Sequence, residues 1–135
     1  MARVFVDTNV LAYVFDEDSP DKQSRARAAL ASAEDPVVST QVMLELFTVL
    51  TRKFARPLSA TAACDVLDRL SDLPVVSADA ALVRKAARTA TRHQLSVWDA
   101  MILEAAVEAG CSEVWTEDLA TGSVLGGVRV VDPLR

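Results

Sequence analysis

An α/β fold with a short, mostly parallel sheet is what this chain predicts, on two observations. Brief apolar runs at Val4–Val6, Val37-Val38, Val75-Val76, Glu113–Trp115 and Val128–Val131 alternate with longer stretches of helical periodicity. That order gives parallel strands joined by right-handed crossovers. Three of the runs also stop abruptly in oxygen-bearing side chains: Asp7-Thr8-Asn9, Ser39-Thr40 and Thr116-Glu117-Asp118. In open α/β sheets, ligands bind outside the carboxyl ends of the strands.

The 135 residues suit one domain with one core, and a single domain over residues 1–135 is expected. Apolar residues make up 51% and charged residues 24%, a globular balance. No apolar run approaches the ~18 residues that cross a bilayer. The N-terminus lacks the basic, apolar and small-residue regions of a signal peptide. The expected location is the cytoplasm, with no membrane association. Cys64 and Cys111 form no CxxC pair and are expected to be small buried residues or inert thiols, without a disulfide. A net charge of −5 argues against holding nucleic acid by bulk positive charge. It leaves room for an enzyme acting on nucleic acid, because acids gathered round a cation change the local field.

Val4, Phe5 and Val6, apolar without interruption, suit a strand covered on both faces. Val10, Leu11, Val14 and Phe15 then resume at helical spacing, so a buried strand delivers Asp7 to the start of a helix. Asp7 and Asn9 are equally good helix caps. Asp16–Asp21 is a polar turn, with Pro20 suited to a helix start. Residues Lys22 to Ala33 are good helix formers, and Asp35-Pro36 ends that helix.

The second strand, Val37-Val38, leads to the cap pair Ser39-Thr40. The next helix is apolar nearly all round: Val42, Leu46, Val49 and Leu50 make a stripe that Met43, Leu44 and Phe47 widen. Glu45 is the only charge in that turn. A carboxylate is rarely buried without a partner, so Glu45 must reach solvent or face something positive. Arg52 and Lys53 at the helix end complement its dipole.

A helix from Ser59 to Leu70 leads to a brief third strand at Val75-Val76. Ala81 to Thr91 is helical, with Arg84, Lys85, Arg88 and Arg92 on its polar side and His93 near its end. The next helix opens at Ser96, with Trp98, Met101, Ile102, Ala105, Ala106 and Ala109 as its apolar stripe and Gly110 as its stop. Ser96 and Asp99 have the spacing of a capping box, so helix-start chemistry alone would account for Asp99. Glu104 and Glu108 share the outer face. After Glu113–Trp115 comes a loop with Gly122, Gly126 and Gly127, without a phosphate-cradling glycine pattern. Val128 to Val131 is the last strand.

A parallel sheet projects Asp7 and Asp118 from one edge. They share a crevice if the first and fourth strands are neighbours at a reversal of strand order. Glu45 follows the second strand and joins them. Asp99 joins only if its helix starts near the same edge. Carboxylates within ~5 Å repel by a few kcal/mol per pair at an effective dielectric near 20, so such a cluster needs protons or a cation. Oxygen ligands without Cys or His select hard cations, Mg²⁺ or Mn²⁺. Metal-assisted hydrolysis of a phosphate ester is the chemistry that follows.

Val-Phe-Val-Asp7-Thr8-Asn9, Glu45 in an apolar helix, Trp98-Asp99-Ala100 and Thr116-Glu117-Asp118-Leu119 together resemble the PIN-domain ribonucleases. More narrowly, they resemble the VapC-type toxins of bacterial toxin–antitoxin pairs, over essentially the whole chain. The resemblance implies a three-layer α/β/α sandwich, a Mg²⁺ or Mn²⁺ centre and endonucleolytic cleavage of RNA. It implies an acidic quartet of Asp7, Glu45, Asp99 and Asp118 as catalytic and metal-binding residues. Asn9 and Thr116 would hold those carboxylates in place. Many members carry a further acid or His two positions after the last Asp; here Ala120 stands there, which leaves Asp118 to bind through water. The implied partners are an RNA substrate, a small antitoxin protein and a second copy of the chain. Two other functions fit parts of the pattern. One is a PIN-like module that binds RNA or protein without cutting. The other is an aspartyl-phosphate enzyme with Asp7 as nucleophile, which Asn9 in place of a second Asp disfavours.

Overall fold

A computed structural model of the chain describes residues 2–135. Its sheet follows the order β3-β2-β1-β4-β6-β5, where β1 is Arg3–Val6, β2 Asp35–Ser39, β3 Val75–Val76, β4 Glu113–Trp115, β5 Val124–Leu125 and β6 Val128–Val131. All pairings are parallel except β5 with β6. Phe5, Val6, Val37, Val38 and Val114 are fully buried, as unbroken apolar runs covered on both faces must be.

The helices are α1 (Thr8–Tyr13), α2 (Pro20–Ser32), α3 (Thr40–Thr48), α4 (Ala60–Leu70), α5 (Ala80–His93) and α6 (Val97–Glu108). Helix α6 lies against β1, β2, β4 and β6, with α5 packed on α6 and α1 packed on both α2 and α3. The result is the α/β/α sandwich. Among the described residues, no helix is long and apolar enough to cross a membrane. The caps are as the sequence indicates: the Ser39, Ser59 and Ser96 hydroxyls each accept from the backbone N–H three residues on.

Four features depart from the sequence reading. Asp35-Pro36 does not merely end α2; both residues open β2, where a missing N–H is tolerated near the strand's start. Helix α3 continues into a π-helical turn over Val49–Lys53, a form associated with functional sites. The glycine-rich loop contains β5, which folds back on β6 through Gly126 and Gly127, both at positive φ. A Cβ on Gly126 would stand 2.8 Å from Val107 of α6, so the hairpin sits flush on that helix only because the residue is glycine. Cys64 is exposed, whereas Cys111 is buried; both are free thiols.

Strand order reverses beside β1. The chain steps from β1 to β2 to β3 on one side, then returns to place β4 and β6 on the other. The crevice at the carboxyl edge between β1 and β4 is therefore the expected ligand position.

Candidate active site

Register fixes the centre of the site. Val6 pairs with Trp115, so the next residues, Asp7 and Thr116, emerge side by side at the carboxyl edge. The Asp7 N–H donates to the Trp115 carbonyl (3.0 Å), and the Thr116 N–H donates to Val131 (3.0 Å). Asp7 is buried and caps α1: its Oδ1 accepts from the Thr8 N–H at 2.7 Å. Its Oδ2 accepts from the Thr116 hydroxyl at 2.9 Å. The cap and the crevice positions, alternatives in the sequence, are the same position in space.

Asn9, one turn-start further on, fastens the loop after β4. Its Nδ2 donates to Asp118 Oδ2 (3.0 Å) and to Thr116 Oγ1 (3.1 Å), while its Oδ1 accepts from the Glu117 N–H (3.2 Å). The Thr116 hydroxyl also accepts from the Asp118 N–H at 3.1 Å. One amide and one hydroxyl thus fix the direction of two carboxylates.

Glu45 reaches the crevice from α3. It neither escapes to solvent alone nor meets a cation. Two neutral donors hold it: the Thr8 hydroxyl on Oε2 (2.9 Å) and Gln41 Nε2 on Oε1 (2.8 Å). Gln41, one helical turn before Glu45, also reaches the Trp98 carbonyl at 3.4 Å. It does so with its own Oε1 buried and without a donor among the described residues. Neither Thr8 nor Gln41 is among the residues singled out from sequence. The signals were present: Thr8 sits inside Asp-Thr-Asn, and Gln41 stands at i−4 from Glu45.

The electrostatics centre on Asp7. Burial pushes its carboxyl up to about 6, against the two hydrogen bonds that pull it down, with Glu45 and Asp118 adding repulsion. Lys22 does not relieve this charge: its ammonium pairs with Glu117 at 2.8 Å and bonds the Tyr13 hydroxyl at 3.3 Å. Asp7, Glu45 and Asp118 therefore form one acidic group without a basic partner among these contacts.

Asp99 stands apart. It lies in the first turn of α6, half-buried, where its N–H donates to the Ser96 hydroxyl at 3.0 Å. Its carboxylate makes no hydrogen bond among the described residues, so the reciprocal half of a capping box is not formed. Trp98 departs from expectation more sharply. Placed by periodicity in the apolar stripe, it is 63% exposed. The buried face of α6 is Ala100, Met101, Ile102, Leu103, Ala105 and Ala106. Glu104, expected outside, is half-buried and accepts from Thr89 of α5 at 3.4 Å.

An open pocket of about 770 Å³ lies over this edge, lined by Glu45, Asp118, Asn9, Trp98, Leu44 and Lys53 among others. Asp7, buried beside the lining residues Thr8 and Asn9, is not itself in the lining, and neither is Asp99. Among the described residues no three Asp, Glu, His or Cys side chains are grouped to enclose an ion. The donor set is nevertheless all oxygen, which suits a hard cation that keeps much of its own water.

A family model described as "PIN domain" matches residues 4–121. No curated protein matches the sequence. Among solved structures, the chain is similar to VapC20 of Mycobacterium tuberculosis, described as a sarcin–ricin loop cleaving toxin. The two are 25% identical over 85% of this chain and 91% of that one, with a TM-score of 0.70. It is also similar to a chain of a toxin–antitoxin complex from Klebsiella pneumoniae (18% identical, 96% and 97% covered, TM-score 0.73). A third is a chain of DNA-bound VapBC from Salmonella typhimurium (19% identical, 98% and 99% covered, TM-score 0.65). The last two likenesses establish the fold.

Proposed function

This chain belongs to the PIN-domain family, and from that premise we propose that it is a metal-dependent endoribonuclease, the toxin of a toxin–antitoxin pair. The observation that carries the reading is the arrangement of Asp7, Glu45 and Asp118. Three elements supply them, neutral donors orient them, and burial, with Glu45 and Asp118 adding repulsion, raises Asp7 to about 6. A fold does not gather like charges at a ligand-binding edge for stability. The similarity to a toxin described as cleaving the sarcin–ricin loop supports RNA as the substrate class. The fold likeness to a toxin–antitoxin complex supports a small antitoxin as partner. We take residues 1–135 as one functional domain that works as a homodimer in the cytoplasm.

Mg²⁺ or Mn²⁺ would be held by Asp7, Glu45 and Asp118, with Asp99 approaching from the start of α6 and water completing the shell. Such an ion supplies positive charge against the phosphate oxygens and favours ionised water at neutral pH. The chain's own residues do the positioning. Asn9 and Thr116 hold Asp118 and Asp7 against rotation, and Thr8 with Gln41 does the same for Glu45. Asp118 is exposed at the rim and, with Ala120 two positions on, would reach the ion through water. Water attacks phosphorus in line and gives a proton to a neighbouring carboxylate, the P–O bond to the ribose breaks, and the leaving oxygen takes a proton from solvent.

Purified protein should cut RNA with Mg²⁺ or Mn²⁺ and stop in EDTA. Asp7→Asn and Asp99→Asn should each abolish cutting with the fold intact; full activity in either would remove that residue from the mechanism. The loose grouping of the acids favours one second reading, a PIN-like module that binds RNA or protein without catalysis. Calorimetric metal binding without cleavage of any RNA would establish it.

A further inference from the structure

A large aromatic side chain that a helix could bury, yet does not, costs apolar exposure in the free protein. Trp98 is 63% exposed on the second residue of α6, the most regular apolar helix in the chain. It lines the same pocket as Glu45 and Asp118. Its backbone is tied to the acids, because Gln41 bonds both the Glu45 carboxylate and the Trp98 main-chain carbonyl. Leu44, also 72% exposed, lines the pocket as well. Lys53, at the end of the π-helical turn, adds a cation to the lining.

We propose that Trp98 is the seat of an unpaired RNA base beside the scissile phosphodiester, a specificity-determining residue of the reaction. The inference rests on the ribonuclease reading and narrows it to single-stranded substrate at this position. The geometry divides a nucleotide into its parts. The indole offers a π-face to the base, Lys53 offers charge to the backbone, and the acids, through the cation proposed above, would face the phosphate to be cut. A base suits this place because its face is apolar while its edges stay hydrated, so covering Trp98 does not force Glu45 and Asp118 out of water. Stacking of this kind tolerates every base and is lost when the ring is lost.

The test is kinetic and spectroscopic. Trp98→Ala should raise KM for unpaired RNA about tenfold or more while kcat falls less, the signature of lost substrate binding. Trp98→Tyr should restore most of the loss, and Trp98→Leu should not, since leucine is apolar but cannot stack. Independently of cutting, Trp115→Phe leaves Trp98 as the sole tryptophan. Short oligoadenylate, added with Ca²⁺ in place of Mg²⁺, should quench its emission, and fully paired RNA should not. An unchanged KM in Trp98→Ala, rescue by leucine as good as by tyrosine, or no quenching each overturns the proposal. So does a dimer that Trp98→Ala dissociates with KM unchanged, which would assign the ring to a second copy of the chain. Quenching by oligoadenylate and not by paired RNA, in a protein that cuts no RNA, would sink the ribonuclease reading and leave the base site standing.

Discussion

Asp7 is pulled in two directions. Its two hydrogen bonds, from the Thr8 N–H and the Thr116 hydroxyl, favour the carboxylate; burial, with Glu45 and Asp118 nearby, favours the acid. Burial wins, and the folded value of about 6 stands above the 3.8 of the free side chain. The folded state therefore holds this proton more tightly than the unfolded chain does. The contribution of Asp7 to stability is fully present below about pH 4, declines as pH rises through about 6, and then levels off. With each pKa unit worth ~1.36 kcal/mol, the loss is on the order of 3 kcal/mol. Asp7→Asn, which keeps a good helix cap, should therefore melt higher than the metal-free wild type at pH 7, with the difference shrinking toward pH 4. Mn²⁺ should raise the melting temperature of the wild type and raise that of the variant less. Thermal melts with and without Mn²⁺ across that range check this. A variant that melts lower at pH 7 would mean that the hydrogen bonds of Asp7 outweigh its repulsion.

At the scale of elements, caps carry the site as much as strands do. Ser96 holds the Asp99 N–H at 3.0 Å and so fixes where α6 begins, beside Trp98 and the pocket. Ser96→Ala should lower stability by about 1 kcal/mol, and Ser96→Gly by only a few tenths, by denaturant melts. Equal losses would mean that the hydroxyl bond contributes little. These caps and the buried strands are legible in the sequence, because cap types and apolar runs are local signals, and strand ends place Asp7 and Asp118 at one sheet edge. Trp98 departs from its periodicity for a physical reason. Periodicity assumes that a helix meets the core along its whole length, whereas burial in α6 becomes continuous only from Ala100, after a first turn with Val97 and Asp99 half-buried and Trp98 exposed. The β5 strand was hidden because two residues carry no period, and the π-helical turn because it leaves the α3 stripe unchanged up to Leu50. Thr8 and Gln41 were passed over because neutral donors carry no charge pattern, although they hold the one acid that the sequence left without a partner.

At the scale of the whole molecule, a net charge of −5 and an acidic pocket decide what can inhibit the protein. The RNA proposed as substrate is itself an anion, so without a cation the free pocket would repel it; a partner that supplies positive charge would be attracted and would compete with the proposed ion. Arginine suits the role better than lysine, since its planar fork can take two carboxylate oxygens at once. The apolar breadth of α3, with Leu44 exposed and Met43, Phe47 and Val49 half-buried, adds a seam for an apolar helix or for a second copy of the chain. The expected complex therefore places an antitoxin arginine near Asp7 and Asp99, with apolar contact along α3. Inhibition should weaken as salt rises, because partly exposed ion pairs are screened over about 10 Å at 0.1 M. A purely apolar clamp would hold or tighten instead. The decisive measurement replaces the antitoxin arginines singly by alanine and follows both binding and RNA cleavage. One substitution should restore cutting while much of the binding survives, since α3 still holds the partner. If every variant binds and none restores cutting, inhibition comes from covering the path of the RNA, and the acids are not the partner's target.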